Sequence, residues 1–72
     1  MSIESTVLTS IRVVTGKKLK PNDVISDHLD SLDKVELLME ISDHLSVDIE
    51  EDELNACTKI RDLVTKITSK KK

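Results

Sequence analysis

The chain has 72 residues, with 14 acids against 11 lysines and arginines, a net charge of −3 and no phenylalanine, tyrosine or tryptophan. A chain this short builds one domain with a small core, burying only about 60% of the surface its unfolded form exposes, and without aromatics that core is aliphatic. The acidic balance and the lack of stacking side chains argue against nucleic-acid binding, lone Cys57 allows no disulfide framework and fits a reducing compartment, and no apolar run is long enough to cross a bilayer.

Met1-Ser2-Ile3-Glu4 offers neither a positively charged start nor an apolar h-region, so no secretory signal is expected and a cytoplasmic protein is the default. Ile3, Val7, Ile11 and Val14 then fall at helical spacing, with Leu8 widening the face, and predict a first helix over about residues 3–15. Ser2 is its candidate N-cap, and Glu4 stands in the first turn, where the helix dipole favours an acid. Val13-Val14-Thr15 is a β-branched run of weak helix propensity, and Gly16 supplies a C-cap.

Residues 16–29 form the longest connection. Lys17, Lys18 and Lys20 are solvated, Pro21-Asn22-Asp23 is turn chemistry, and Val24, Ile25 and Leu29 are the apolar points that would pin this segment over the core. A long loop leading into a helix mouth is a usual place for function, and it is equally compatible with plain spanning between two helix ends.

A long helix follows, from about Ser31 to Leu45. Asp30 and Ser31 both suit its mouth, where a side-chain oxygen satisfies a free backbone N–H. At about 100° per residue, Leu37, Leu38, Ile41 and Leu45 cluster on one face, while Leu32, Val35 and Met39 share a neighbouring arc. Asp33, Glu36, Glu40, Asp43 and His44 fill the remaining side. The apolar arc covers more than half the circumference, wider than a surface helix needs. Either all seven apolar residues are buried, or the first cluster faces the core and Leu32, Val35 and Met39 stay partly exposed beside an acidic rim, as a docking surface does.

Acids crowd this helix at a cost. Asp33–Glu36, Glu36–Glu40 and Glu40–Asp43 are like-charge pairs at helical spacing, each destabilising by roughly 0.2–0.5 kcal/mol, with Asp30–Lys34 expected to offset part of the sum.

Beyond it, Val47 and Ile49 can point inward from a turn, and the acidic run from Glu50 to Asn55 predicts a short helix capped by Asp48. Thr58 looks like the N-cap of a last helix, in which Ile60, Leu63, Val64 and Ile67 recur at helical spacing. Lys66 and Lys70-Lys71-Lys72 lie at its C-terminal end, where cations suit the dipole and fraying is expected over residues 70–72. With no repeat and no boundary, residues 1–72 read as a single all-α domain, a small bundle of three main helices and one short one.

Asp30-Ser31-Leu32-Asp33, followed by Val35-Glu36-Leu37 and Met39, resembles the acyl carrier protein family. The resemblance extends over nearly the whole chain: Ile49 and the acids after it match that family's turn into a short third helix, and Thr58-Lys59-Ile60-Arg61-Asp62-Leu63-Val64 the start of its fourth. It implies that Ser31 carries a 4′-phosphopantetheine arm, attached by a phosphopantetheinyl transferase from coenzyme A, whose thiol holds acyl intermediates as thioesters for fatty-acid, polyketide or related lipid synthesis. By the same resemblance Asp30 helps orient the transferase's metal and coenzyme. Leu32, Val35 and Met39 match apolar positions that contact partners, and Asp33, Glu36 and Glu40 match the acidic face read by basic patches on loading, synthase or acyltransferase enzymes. A monomer without membrane insertion is implied.

Two departures are visible. The family usually has a glycine shortly before the motif, where this chain has Ser26-Asp27-His28-Leu29, and the preceding loop is short and lacks the usual phenylalanine. Histidine tolerates unusual backbone angles better than bulky residues do. Leucine directly before Asp-Ser is also common in aminoacyl and D-alanyl carriers, which stand as an alternative cargo class.

A carrier needs no catalytic group of its own, and none is legible. Ser31 has no histidine-plus-acid arrangement around it beyond the sequence proximity of His28. Asp27, Asp30 and Asp33 lack EF-hand spacing, and Glu40 with His44 is too small a set for zinc, so no metal site is expected. Cys57 reads as a small core residue. The other reading is a non-carrier acidic helical adaptor, in which Ser31 is only a cap or a phosphorylation site.

Overall fold

A computed structural model of the chain describes residues 2–71; Met1 and Lys72 lie outside the described residues. Five helices follow in order: α1 (Ile3–Thr15), α2 (Ile25–His28), α3 (Ser31–Leu45), α4 (Glu51–Asn55) and α5 (Ile60–Lys71). The three main helices stand where the hydrophobic periodicity put them, and the short acidic one lies within the acidic run that predicted it. The additional turn, α2, lies inside the long connection.

Local chemistry sets the ends. The Ser2 hydroxyl accepts from the Ser5 N–H at 3.1 Å to start α1. Gly16 ends it with a left-handed φ of 73°, its N–H donating to the Arg12 carbonyl, a conformation open to glycine at no steric cost. The long connection is tied down by backbone pairing with the start of α5. The Ile25 N–H donates to the Thr58 carbonyl at 2.9 Å, and the Ile60 and Arg61 N–H groups donate back to the carbonyls of Asp23 and Pro21. This pairing occupies Thr58 through its backbone. Lys59 precedes α5 instead, and its N–H is met by the Asp62 carboxylate at 3.1 Å. Asp48 likewise does not cap α4. Glu50 stands at that position, its N–H donating to Glu53 Oε1 at 3.1 Å, while Asp48 accepts from the Ser42 hydroxyl.

The core is wholly aliphatic. Val7 and Ile11 of α1, Leu37 and Ile41 of α3, Leu54 of α4, and Ile60, Leu63 and Ile67 of α5 are all fully buried. Ile25 and Leu29 close it from the connection, Val47 and Ile49 from the turn, and Leu19 is a further buried point that periodicity did not reveal. Helix α1 packs mainly on α3 and then on α5, and α4 packs on α3. Leu38, Leu45 and Cys57 are partly buried against this cluster. Burial first, and the Asp62 charge second, push the Cys57 thiol above its ordinary 9.0, which keeps it protonated and unreactive at neutral pH.

The basic end expected to fray is helical through Lys71. Lys71 Nζ donates to the Leu45 carbonyl at 2.8 Å, and Lys70 Nζ reaches both the Asp48 carbonyl at 3.1 Å and Glu53 Oε1 at 2.7 Å. These bonds strap the last turn over the end of α3. The Lys70 hydrogen bond, then the Glu50 N–H, hold the Glu53 carboxyl below its ordinary 4.5. A depressed carboxylate stabilises the fold above its unfolded pKa and loses that contribution as pH falls through the folded value. Thermal melting of Glu53→Gln should therefore lie below wild type at neutral pH, and the two curves should converge as the buffer is taken below pH 4.5. A gap that persists in acid would show that the pairing with Lys70 is not its source.

Candidate functional site

The mouth of α3 resolves which residue caps it. Asp30 is the N-cap: its Oδ1 accepts from the Asp33 N–H at 2.8 Å, and Asp33 Oδ2 accepts in return from the Asp30 N–H at 3.4 Å. Two carboxylates thus share the reciprocal capping box, and Ser31 is left as the first helical residue, exposed to solvent and released from capping. A hydroxyl in the first turn of a 15-residue helix also sits where backbone N–H groups and the dipole favour an attached or approaching phosphate.

No glycine is needed before the motif. Helix α2 ends at His28, Leu29 is extended at φ −118° and ψ 126°, and positive φ among the described residues occurs only at Gly16 and Ser46. Leu29 then turns into the core, which fixes the chain as it enters the mouth.

The structure decides between the two readings of the long helix. Leu37 and Ile41 are buried, whereas Leu32 is 66% exposed, Val35 41% and Met39 64%. The three exposed side chains follow Ser31 along one arc of α3, and the acids lie beside them.

Those acids are not equivalent. Asp33 is engaged in the cap, and Glu40 pairs with His44 at 3.0 Å. Glu36 is exposed and forms no ion pair among the described residues. Lys34 does not offset Asp30 as its spacing suggested: its Nζ crosses to Asn55 Oδ1 at 3.3 Å, linking the first turns of α3 to the end of α4. His28 is half-buried at the end of α2. No cluster of metal-ligating side chains occurs among the described residues, and no helix is long and apolar enough to cross a membrane.

Helical periodicity missed Val13, which is 66% exposed and lines an open groove with Val14, Glu36, Met39, Glu40 and Asp43. Its signal was available: Val13 lies off the stripe that Val7 and Ile11 define, and an apolar residue there lacks a core to explain it.

Comparison with known proteins gives the same reading. A family model described as "Phosphopantetheine attachment site" matches residues 5–67. A curated relative, "Acyl carrier protein homolog" from Mycoplasmopsis pulmonis (strain UAB CTIP), is 29% identical over 73 residues, spanning all of both chains. No solved structure matches.

Proposed function

The chain belongs to the phosphopantetheine-attachment family, and from that premise we propose that it is an acyl carrier and that Ser31 is the residue that holds the arm. The protein is a carrier and not an enzyme, and its cofactor is covalent 4′-phosphopantetheine. The observation that carries the assignment to Ser31 is the capping geometry: Asp30 and Asp33 form the capping box between them, so the exposed Ser31 hydroxyl takes no part in the cap. Its oxygen forms the phosphodiester with the pantetheine phosphate of coenzyme A, releasing the nucleotide and a proton. When bound, the group supplies a terminal thiol that holds cargo as a thioester.

This chain's own residues attach, present and are recognised. Asp30 places its carboxylate beside the attachment point, where a transferase brings its metal and coenzyme. Leu32, Val35 and Met39 offer apolar contact, and Asp33, Glu36 and Glu40 offer charge to lysine and arginine patches on the transferase and on loading, synthase or acyltransferase enzymes. The cargo in this reading is an acyl intermediate of fatty-acid, polyketide or related lipid synthesis, carried by a monomer in the cytoplasm. Leucine before Asp-Ser does not favour an amino-acid cargo, because Leu29 is buried and packing accounts for it.

The direct test is intact-mass measurement after incubation with coenzyme A and a phosphopantetheinyl transferase. One arm is expected to be added, and an unmodified mass would leave only the acidic adaptor.

Among the acids, Glu36 is expected to matter most to recognition. Glu36→Lys should raise the transferase KM by about fivefold at low salt, shrinking toward wild type as salt is added. It should also stabilise the fold by about 0.8–2 kcal/mol, since two like-charge pairs become attractive. Glu40→Lys should show the same loss of recognition with less gain in stability, because it removes the pairing with His44. A KM indifferent to both reversals across a salt series would remove electrostatic docking from the account.

A further inference from the structure

Val13 stands 66% exposed on the side of α1 away from the buried stripe of Val7 and Ile11. Neither propensity nor packing accounts for it, since a β-branched residue is a poor choice for an exposed helix position. With Val14 it forms one wall of a groove of about 220 Å³, opposite Met39 on α3, and Glu36, Glu40 and Asp43 rim the opening. An apolar cavity of about 150 Å³ holds a benzene ring, so this space admits one large aliphatic side chain. Met39 belongs both to this groove and to the exposed arc of Leu32 and Val35, so the apolar surface runs without a break from the attachment helix onto α1.

We propose that this groove extends the docking surface onto α1 and receives one aliphatic side chain of a partner enzyme, flanked on the partner by lysine or arginine. The inference rests on the carrier reading above, with the transferase as the first such partner. Charge complementarity selects this occupant. A second copy meeting it face to face would bring the same three acids against the rim, which like-charge repulsion opposes. The chain's own acyl cargo is neutral and draws nothing from an acidic rim. A basic partner satisfies both the floor and the rim, the usual division between an apolar centre and a polar edge.

The test is the steady-state kinetics of phosphopantetheine transfer to full-length protein, comparing wild type with Val13→Gln and with Asp43→Asn. Val13→Gln is expected to raise KM by about fivefold to tenfold, the effect of losing one buried aliphatic contact, with kcat and melting temperature unchanged. Asp43→Asn is expected to raise KM less and to flatten its salt dependence. An unchanged KM for Val13→Gln, while wild type is modified normally, overturns the groove and leaves the carrier intact. Failure of wild type to gain the arm overturns the carrier reading instead. Concentration-dependent dimers of the unmodified protein that are lost in Val13→Gln would assign the groove to a second copy and overturn the inference.

Discussion

Ser31→Ala is expected to abolish addition of the phosphopantetheine arm completely while leaving the fold as stable as wild type, within about 0.5 kcal/mol. The two halves of that result have different causes. Modification vanishes because no other hydroxyl stands at the mouth of α3 behind the Asp30 cap. Stability survives because the cap does not use Ser31: the N–H of Asp33 is held by the Asp30 carboxylate. Removing a residue that does cap a helix costs about 1 kcal/mol, which in a domain of this length lowers the melting temperature by about 4–8 °C. Asp30→Ala should show that drop, since its side chain accepts from the Asp33 N–H. The pair of variants separates attachment from capping. Intact mass and thermal melting on the same samples read both, and a Ser31→Ala protein that still gained the arm, or that melted as low as Asp30→Ala, would reverse the assignment.

Ile41→Ala is expected to destabilise the fold by about 2–5 kcal/mol. Ile41 is fully buried on α3, in the same cluster as Val7 and Ile11 of α1 and Leu63 of α5, so its loss opens a hole in that shared core. Close-packed neighbours relax only partly into such a hole, which adds a cavity cost to the lost transfer energy. A domain of this length has roughly 4–10 kcal/mol in all, and the variant should be partly unfolded at moderate temperature. Met39→Ala, two positions earlier but 64% exposed, should change stability by no more than about 0.5 kcal/mol. Urea titration of the two variants checks the contrast. Because α3 also presents Ser31, the Ile41 variant should accept the arm more slowly in proportion to its folded fraction, whereas Met39→Ala should lose partner affinity without losing structure. Equal denaturation midpoints for the two would contradict the burial that separates the faces of α3.

The difference between those variants also marks how far the chain was legible as a sequence. The three main helices followed from spacing: Val7 with Ile11, Leu37 with Ile41, and Leu63 with Ile67 each repeat at the helical period, and all six are buried. The motif around Ser31 was legible as well, because it is contiguous and each residue type in it has a local chemical meaning. What stayed hidden involved residues distant in sequence. Thr58 has the composition of a cap, but the first turn of the last helix closes on Lys59, whose carbonyl accepts from the Asp62 and Leu63 N–H groups, while the Thr58 carbonyl is paired with Ile25. Lys34 has the spacing to pair with Asp30 and instead crosses to Asn55. Lys70 and Lys71 were expected to be loose and are held by Asp48, Glu53 and Leu45.

By itself the sequence determined the helical class, the aliphatic core and the hydroxyl set among acids, because periodicity, composition and capping act over a few neighbouring residues. Only the tertiary structure decided that Asp30 rather than Ser31 takes the capping duty, that Leu32, Val35 and Met39 remain outside the core, and that Val13 joins them across a groove. Two apolar arcs on one helix look alike in a sequence; which of them is covered depends on where the other helices lie, and that is settled by packing between segments far apart in the chain.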